Sequence, residues 1–463
     1  MNPRIFREYD VRGVVDEDLT DEVVENLGWA YGSLIRDEGG HQVVVGRDVR
    51  LSSPRLLKAL CKGILKSGCD VTDVGEVPTP VLYFSILRLE MDGGVMITGS
   101  HNPLEYNGFK LCLGIASIYG EGIQRLRARI EKGDFVRGSG SMTHKDTLPS
   151  YMEALTERIV LSRGLKVVLD AGNGGASRIA PELFRRLGCE VIPLYCEIDG
   201  RFPNHLPDPT VPKFLVDLQR KVLETGADVG IGYDGDADRI GVIDDEGKIL
   251  YGDRLLALYA RDVLSRKPGS PIIFDVKCSQ ALVEDIEAHG GRPLMGRTGH
   301  SLIKARMKAE AAPLAGEMSG HMFFADEYFG YDDALYASAR LARILADSPE
   351  KLSRIAAGLP QYVATPEIRI VCSDEEKFGV VEAITEHFRA RYEVLDVDGV
   401  RVLFGDGWGL VRASNTQPVL VLRFEASTQK RLEEIARTIL EELKRHPAVS
   451  GIADVLRSVM EGA

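Results

Sequence analysis

The sequence predicts an α/β protein of three tandem, related α/β domains, each a mixed sheet with flanking helices, followed by a C-terminal α+β domain. Three observations predict it. First, 463 residues are too many for one apolar core. Second, one unit recurs: a short apolar strand, a glycine-rich or polar loop, a helix, then glycine before the next strand. Third, that rhythm breaks in the last hundred or so residues. A strand, crossover helix and second strand form a βαβ unit, and repetition of the unit implies repetition of the domain.

Taken in order, a polar-aromatic segment, Phe6-Arg-Glu-Tyr9-Asp-Val-Arg12-Gly13, precedes an amphipathic helix over Asp21 to Arg36. The first unit is the strand Gln42 to Val45, the loop Gly46-Arg47-Asp48, a helix from Pro54 to Ser67, and the strand opened by Gly68-Cys69-Asp70-Val71. The second is Leu165 to Leu169, the loop Asp170 to Gly175, the helix Pro181 to Leu187, and Gly188-Cys189-Glu190-Val191. The third and weakest is Pro271 to Phe274, Asp275-Val276-Lys277, a helix from Ser279 to His289, and Gly290-Gly291. Strands Glu367 to Val371 and Val419 to Phe424, with helices Glu375 to Arg391 and Thr428 to Lys444, make up the last domain. These elements place the domains at 1–147, 148–249, 250–364 and 365–463.

With 44% hydrophobic and 27% charged residues and no apolar run long enough to span a bilayer, the chain reads as soluble, with no membrane partner. Met1-Asn-Pro-Arg-Ile-Phe6 lacks the apolar core of a signal peptide, so a cytoplasmic location is expected. Seven scattered cysteines without a CxxC pair read as buried thiols rather than a disulfide framework or zinc site. A net charge of −12 argues against a nucleic-acid groove. It leaves room for a small anion, because a few local cations outweigh charges more than about 8 Å away.

The chain is organised around Val95-Met-Ile-Thr98-Gly99-Ser100-His101-Asn102-Pro103, a buried strand that empties into a tight polar turn presenting one hydroxyl. A serine hydroxyl is a poor nucleophile unaided and needs a proton acceptor or a metal nearby. An ordinary strand-to-loop turn has the same composition, so the rest of the chain decides. The most specific signal is Gly230-Ile-Gly-Tyr-Asp234-Gly-Asp236-Ala-Asp238-Arg239. Three carboxylates at alternate positions between apolar runs repel one another unless a cation is bound, and hard oxygen ligands favour Mg²⁺ or Ca²⁺ over zinc. An EF-hand is rejected because Arg239 stands where that loop needs glycine and the flanks are strands.

Lys110 follows Ser100 closely enough to return to the same pocket, and to act as a base it would need its pKa lowered from about 10.4. A solvated surface lysine is the alternative. Arg297-Thr298-Gly299-His300-Ser301 and Gly316-Glu317-Met-Ser319-Gly-His321 mix small residues with donors and acceptors, as recognition of a polyhydroxyl ligand requires. Glu317 and Ser319 are expected on one face of an extended chain, with His321 next along it. Arg412-Ala-Ser414-Asn415-Thr416 offers a guanidinium, two hydroxyls and an amide on a turn, which suits a phosphate cradle or a polar hairpin.

These motifs, in this order, resemble the α-D-phosphohexomutase superfamily, in particular its bacterial phosphomannomutase/phosphoglucomutase branch, over essentially the whole chain. The resemblance implies four domains around one cleft, the last of them mobile. It implies that Ser100 is a phosphoserine and that Asp234, Asp236, Asp238 and the phosphoserine hold one Mg²⁺ per chain. Tyr9, Arg12, His101, Asn102 and Arg239 would surround the reacting phosphate. Lys110 is the first choice as general acid/base and His321 the second. Lys277, Thr298, Gly299 and His300 would hold sugar and phosphate, Glu317 and Ser319 the sugar, and Arg412, Ser414, Asn415 and Thr416 the phosphate that is not reacting.

The implied activity interconverts the 1- and 6-phosphates of mannose and glucose through a 1,6-bisphosphate, with glucose 1,6-bisphosphate as activator. The phosphosugar is the expected partner and the working unit a monomer, with a dimer as the alternative. Phosphoglucosamine mutases of the same superfamily usually read Ala-Ser-His-Asn-Pro at the serine loop and glutamine at the Met318 position, which ranks that activity second. A non-catalytic phosphosugar-binding protein and a metal-dependent phosphatase are the alternatives from other classes.

Overall fold

The computed structural model describes residues 1–414 and 417–460 of the chain. It contains four sheets. The first joins β1 (Val11–Val14), β2 (Gln42–Arg47), β3 (Asp70–Glu76), β4 (Gly93–Ile97), β5 (Tyr106–Leu113), β6 (Ala116–Ser117) and β7 (Met142–His144) in the order β1-β5-β4-β2-β3-β7, with β6 beside β5. The second joins β8 (Lys166–Asp170), β9 (Glu190–Leu194), β10 (Val229–Tyr233), β11 (Ile240–Ile243) and β12 (Ile249–Leu250) in the order β12-β11-β10-β8-β9. The third joins β13 (Pro271–Asp275), β14 (Arg292–Gly296), β15 (Leu314–Gly316) and β16 (Met322–Phe324) in the order β14-β13-β15-β16.

These three sheets share one topology. In each, three parallel strands run in the order second, first, third, and a fourth strand returns antiparallel beside the third: β3-β2-β4-β5, β9-β8-β10-β11 and β14-β13-β15-β16. The loop that turns the third strand into the fourth is therefore the same loop in every domain. In the first it carries Ser100, in the second the three aspartates, and in the third Glu317 to His321. Loops at the carboxyl ends of parallel strands, where strand direction changes, are where such sheets place ligands.

The first domain's helices follow from its sequence. Thr20 caps the helix Asp21–Asp37 by accepting from Val23 N at 3.3 Å, and Asp21 and Glu22 face the positive end of the helix dipole. Gly63 lets this helix lie against Ser53–Lys66: a Cβ on Gly63 would come 1.9 Å from the Glu25 carbonyl oxygen.

The last sheet is antiparallel throughout: β17 (Val363–Ala364), β18 (Ile368–Val371), β19 (Glu393–Leu395), β20 (Val400–Leu403), β21 (Gly407–Ala413) and β22 (Val419–Ala426). Strands β19 to β21 and the helix Ile452–Met460 were not expected from the sequence. Two arginines, Arg401 and Arg412, break the apolar runs of β20 and β21, yet both are buried.

One apolar core runs without interruption from Val44 to Leu359 across the first three domains, while the fourth has its own core around Ile384, Phe424 and Ile439. The fourth touches the third through a small cluster of Val276, Trp408 and Leu410. Beside it, Arg401 stacks on Trp408 at 3.7 Å and donates to the carbonyls of Val276 at 2.9 Å and Cys278 at 2.7 Å. A separate core with a partly polar attachment is the arrangement that permits one domain to move against another. The cysteines described are free thiols, six buried and Cys196 partly so. No helix among the described residues is long and apolar enough to cross a membrane.

One contact within the second domain is sensitive to pH. His205 sits with Nε2 3.1 Å from the Asp170 carboxylate and Nδ1 2.9 Å from the Leu206 carbonyl. Both neighbours accept, so the ring satisfies both only as the imidazolium. Burial lowers its pKa, but the hydrogen bond and charge of Asp170 more than offset this and raise it. A raised folded-state pKa means the contribution to stability is complete below about pH 6.5 and is lost as pH rises through the folded value. Denaturant titration at stepped pH should show His205→Gln less stable than wild type at the acidic end of that window and close to it at the alkaline end. A gap that does not change with pH would contradict the assignment.

Candidate active site

The serine loop starts from β4, whose five residues are all buried. Thr98 N donates to Gly108 O at 3.0 Å and keeps the loop mouth paired, and Ser100 N donates to Thr98 Oγ1 at 2.8 Å. Ser100 is left-handed, with φ +47°, and 3% exposed. Its Oγ donates to Asp234 Oδ2 at 2.7 Å and lies 3.0 Å from His101 Nδ1. The hydroxyl of the first domain therefore touches the carboxylates of the second.

In the aspartate loop, Ala237 takes a φ of +56° and Asp234 Oδ1 accepts from the backbone N–H of Asp238 at 3.0 Å and Arg239 at 3.1 Å. Asp234, Asp236 and Asp238 are fully buried, each with a carboxylate oxygen within 4.8 Å of the others. Lys110 Nζ, reaching across from β5, donates to Asp236 Oδ2 at 2.7 Å and to Asp238 Oδ2. Burial, then repulsion from Asp238 and Asp236, raises the pKa of Asp234 well above the usual carboxylate range. Asp238 is held well below it, because Lys110 and His321 outweigh its burial. Asp236 Oδ1 has no hydrogen-bond partner among the described residues. Three clustered buried carboxylates, with an unpartnered oxygen and an adjacent hydroxyl, fit a hard divalent cation.

Lys110 reaches the pocket, but the lowered pKa that a base requires is not what it receives. Burial alone would lower it; Asp236 and Asp238 overcome that and raise it above its ordinary value. In this geometry the ammonium is paired with Asp236 and Asp238.

The third loop corrects the extended-chain expectation. Residues 317–321 form a hairpin turn, with Glu317 N donating to His321 O at 2.9 Å and Gly320 N to Glu317 O at 2.9 Å. The turn, not strand alternation, brings Glu317 Oε2 within 2.8 Å of His321 Nδ1, with Ser319 Oγ 3.3 Å from the same nitrogen. Gly320 has φ +91°, and a Cβ there would come 2.4 Å from Ile240 O, so the hairpins of the second and third domains can meet. Ile240 N donates to Gly320 O at 3.1 Å, Arg239 Nε lies 3.2 Å from His321 Nε2, and His321 Nε2 is also 3.2 Å from Asp238 Oδ1. Burial lowers the pKa of His321, but Asp238 and Glu317 carry it up to about 9. Glu317, paired with His321 and accepting from Gly299 N at 2.6 Å, is held down at about 2 against its burial.

The remaining expected residues gather around these loops. Tyr9 donates to Thr298 O at 2.7 Å, and Gly299, with φ +133°, lets that ring lie against its backbone. Arg12 pairs with Asp10 at 2.5 Å. His300 is buried 3.4 Å from Asp332, and Asn102 lies in the serine loop. Lys277 Nζ donates to Glu367 Oε2 at 3.1 Å. Arg412 Nε donates to Asp398 Oδ2 at 2.6 Å, and the same oxygen accepts from Thr298 N at 3.0 Å, so Asp398 ties the last domain's arginine to the third domain's loop. The Ser414 backbone is fixed by Val419 and its carbonyl accepts from Lys377. Asn415 and Thr416, expected in the same cradle, lie outside the described residues. Asp398, Glu367, Asp332 and the Asp48-Arg50 pair were not found from the sequence. Only the tertiary structure shows what each of these residues meets.

Compared with known proteins, the chain matches four family models in succession: phosphoglucomutase/phosphomannomutase alpha/beta/alpha domains I (residues 3–137), II (149–247) and III (251–362), and the C-terminal domain (367–442). It is 51% identical over 441 residues to a phosphomannomutase/phosphoglucomutase of Pseudomonas aeruginosa, covering 95% of both chains. It is 45% identical over 448 residues to a phosphoglucomutase of Neisseria gonorrhoeae, covering 96% of this chain and 97% of that one. Among solved structures, a phosphoglucomutase/phosphomannomutase family protein of Burkholderia thailandensis superposes with a TM-score of 0.91 at 45% identity, covering 97% and 99% of the two chains.

Proposed function

The chain belongs to the phosphoglucomutase/phosphomannomutase family, and we propose that it interconverts hexose 1-phosphates and hexose 6-phosphates of glucose and mannose. The observation that carries this reading is the 2.7 Å hydrogen bond from Ser100 to Asp234, which joins the nucleophile of one domain to the carboxylates of another. A protein that only bound phosphosugars would gain nothing from a hydroxyl held on a buried acidic cluster.

Asp234, Asp236, Asp238 and an oxygen on Ser100 would hold one Mg²⁺, whose charge would stabilise the transferring phosphoryl group. Phospho-Ser100 gives its phosphoryl group to O6 of a bound hexose 1-phosphate: the Ser100 O–P bond breaks and the O6–P bond forms. In its neutral form, reached as pH approaches its raised pKa, His321, oriented by Glu317, takes the O6 proton. The 1,6-bisphosphate turns over in the cleft, O1 gives its phosphoryl group to Ser100, and His321 returns the proton to O1. Tyr9, Arg12, His101, Asn102 and Arg239 surround the reacting group, and Lys277, Thr298, Gly299 and His300 hold sugar and phosphate. Arg412, Ser414, Asn415 and Thr416 hold the idle phosphate. A trace of glucose 1,6-bisphosphate primes Ser100. The attachment of the last domain suits a cleft that must exclude water and still let the bisphosphate reorient.

Glucose and mannose differ only at C2, so a grip on O3 and O4 by Glu317 and Ser319 admits both. The test follows mannose 1-phosphate, glucose 1-phosphate and glucosamine 1-phosphate by phosphorus NMR, with Mg²⁺ and a trace of glucose 1,6-bisphosphate. Conversion of the first two to 6-phosphates at similar rates, without release of inorganic phosphate, is the expected result. Fast conversion of glucosamine 1-phosphate alone would contradict the specificity, and no conversion at all would contradict the activity.

A further inference from the structure

We propose that Arg50 is a positioning residue that fixes the backbone of the serine loop around its guanidinium, an inference that rests on the reading of Ser100 as the phosphoserine. Arg50 follows the first parallel strand of the first domain and is 2% exposed. Its Nη2 donates to the carbonyls of Ser100 at 2.9 Å and Asn102 at 2.5 Å, and its Nη1 to those of Pro103 at 2.7 Å and Tyr106 at 3.0 Å. Four carbonyls from seven consecutive residues of one loop converge on one side chain.

The planar fork is what makes this possible, since a lysine ammonium offers three donors from a single point. Asp48 closes the arrangement. Its Oδ2 lies 3.4 Å from Arg50 Nε and accepts from Gly99 N at 3.0 Å, while Oδ1 accepts from Arg50 N at 3.0 Å and Ser53 Oγ at 2.5 Å. The second domain covers the far side, with the Phe202 ring centroid 5.4 Å from the guanidinium carbon.

This mould answers a question the loop itself leaves open. Ser100 has φ +47°, a conformation that a non-glycine residue holds only when its surroundings impose it. Within the loop, the backbone bonds are few: Asn102 N to Gly99 O at 3.0 Å and Tyr106 N to Pro103 O at 3.1 Å. Arg50 grips the Ser100 carbonyl directly, so the angle at which Oγ meets Asp234 is set from behind. Arg50 reaches the loop's backbone carbonyls rather than the sugar loop at Glu317 or the Arg412 cradle. Its loss therefore slows phosphoryl transfer while leaving substrate binding in place.

The test compares wild type with Arg50→Lys. It uses rapid-quench phosphorylation of Ser100 by glucose 1,6-bisphosphate, steady-state kcat and KM, and calorimetric binding of glucose 1-phosphate. The expected result is a phosphorylation rate and kcat reduced about 100-fold, as small misplacements of reacting groups produce, with KM and the glucose 1-phosphate Kd close to wild type. A folded Arg50→Lys that is phosphorylated at the wild-type rate would overturn the proposal. So would one that loses sugar binding in step with rate, since that marks a general structural role. If Arg50→Lys does not fold, Asp48→Asn, which turns an amide toward Gly99 N–H and Arg50, should show the same split in smaller measure; wild-type kinetics there would equally overturn it. Wild type that takes up no phosphate on Ser100 would refute the phosphoserine reading itself, a result distinct from any difference between the variants.

Discussion

Alanine in place of Ser100 is expected to reduce turnover by on the order of 10⁴-fold or more while glucose 1-phosphate still binds close to its wild-type affinity. Removing the atom that carries the transferred group leaves no shorter route, and nucleophile deletions in other enzymes have effects of this size. The binding half of the prediction follows from the layout. The groups proposed to hold sugar and idle phosphate, Glu317, Ser319 and Arg412, belong to the third and fourth domains. The hydroxyl, whose partners are Asp234 and His101, belongs to the first. Calorimetry beside a coupled assay checks both halves, and turnover that survives in Ser100→Ala would remove the covalent mechanism.

The second large effect separates two candidates for the proton. His321→Ala should lower kcat by roughly 10²- to 10⁴-fold, the range for loss of a general acid/base. The wild-type pH dependence assigned to that group should disappear with it. Lys110→Met should instead be read first in stability. Removing the ammonium leaves buried Asp236 and Asp238 without their partner, a loss of about 3–5 kcal/mol when one half of a buried pair is removed. Mg²⁺, binding the same carboxylates, should then raise the Tm of Lys110→Met more than that of wild type. A Lys110→Met protein of wild-type stability that has lost the pH limb of kcat would return the proton role to Lys110.

This pair of residues also shows what the sequence can and cannot express. The loops of Ser100, Asp234 and Glu317 stand out because each is a glycine-rich polar interruption between apolar strands, and that pattern is local. The three-fold recurrence of strand, loop and helix is local too, and it led correctly to three related α/β domains and a separate last one. What Lys110 meets is not local. Asp236 lies 126 residues further along the chain, and only the packing of two domains decides that the lysine gains two carboxylates rather than a dry apolar wall. Glu317, Ser319 and His321 were legible as one face of the chain but not as a turn, because their spacing fits both an extended strand and a hairpin whose ends meet. Arg401 and Arg412 hid two strands, since a buried arginine looks like a surface residue until its partners are known: two carbonyls in one case, Asp398 in the other. Arg50 was invisible for the same reason.

In the proposed reaction a phosphoryl group passes from Ser100 to the sugar and back. Enzyme carrying radiolabelled phosphate on Ser100, mixed with excess unlabelled glucose 1-phosphate in a quench-flow instrument, tests it in one turnover. Label is expected to leave the protein at the rate at which labelled glucose 1,6-bisphosphate appears, and then to emerge in glucose 6-phosphate. Label that stays on Ser100 through many turnovers, or that leaves as inorganic phosphate, would contradict it.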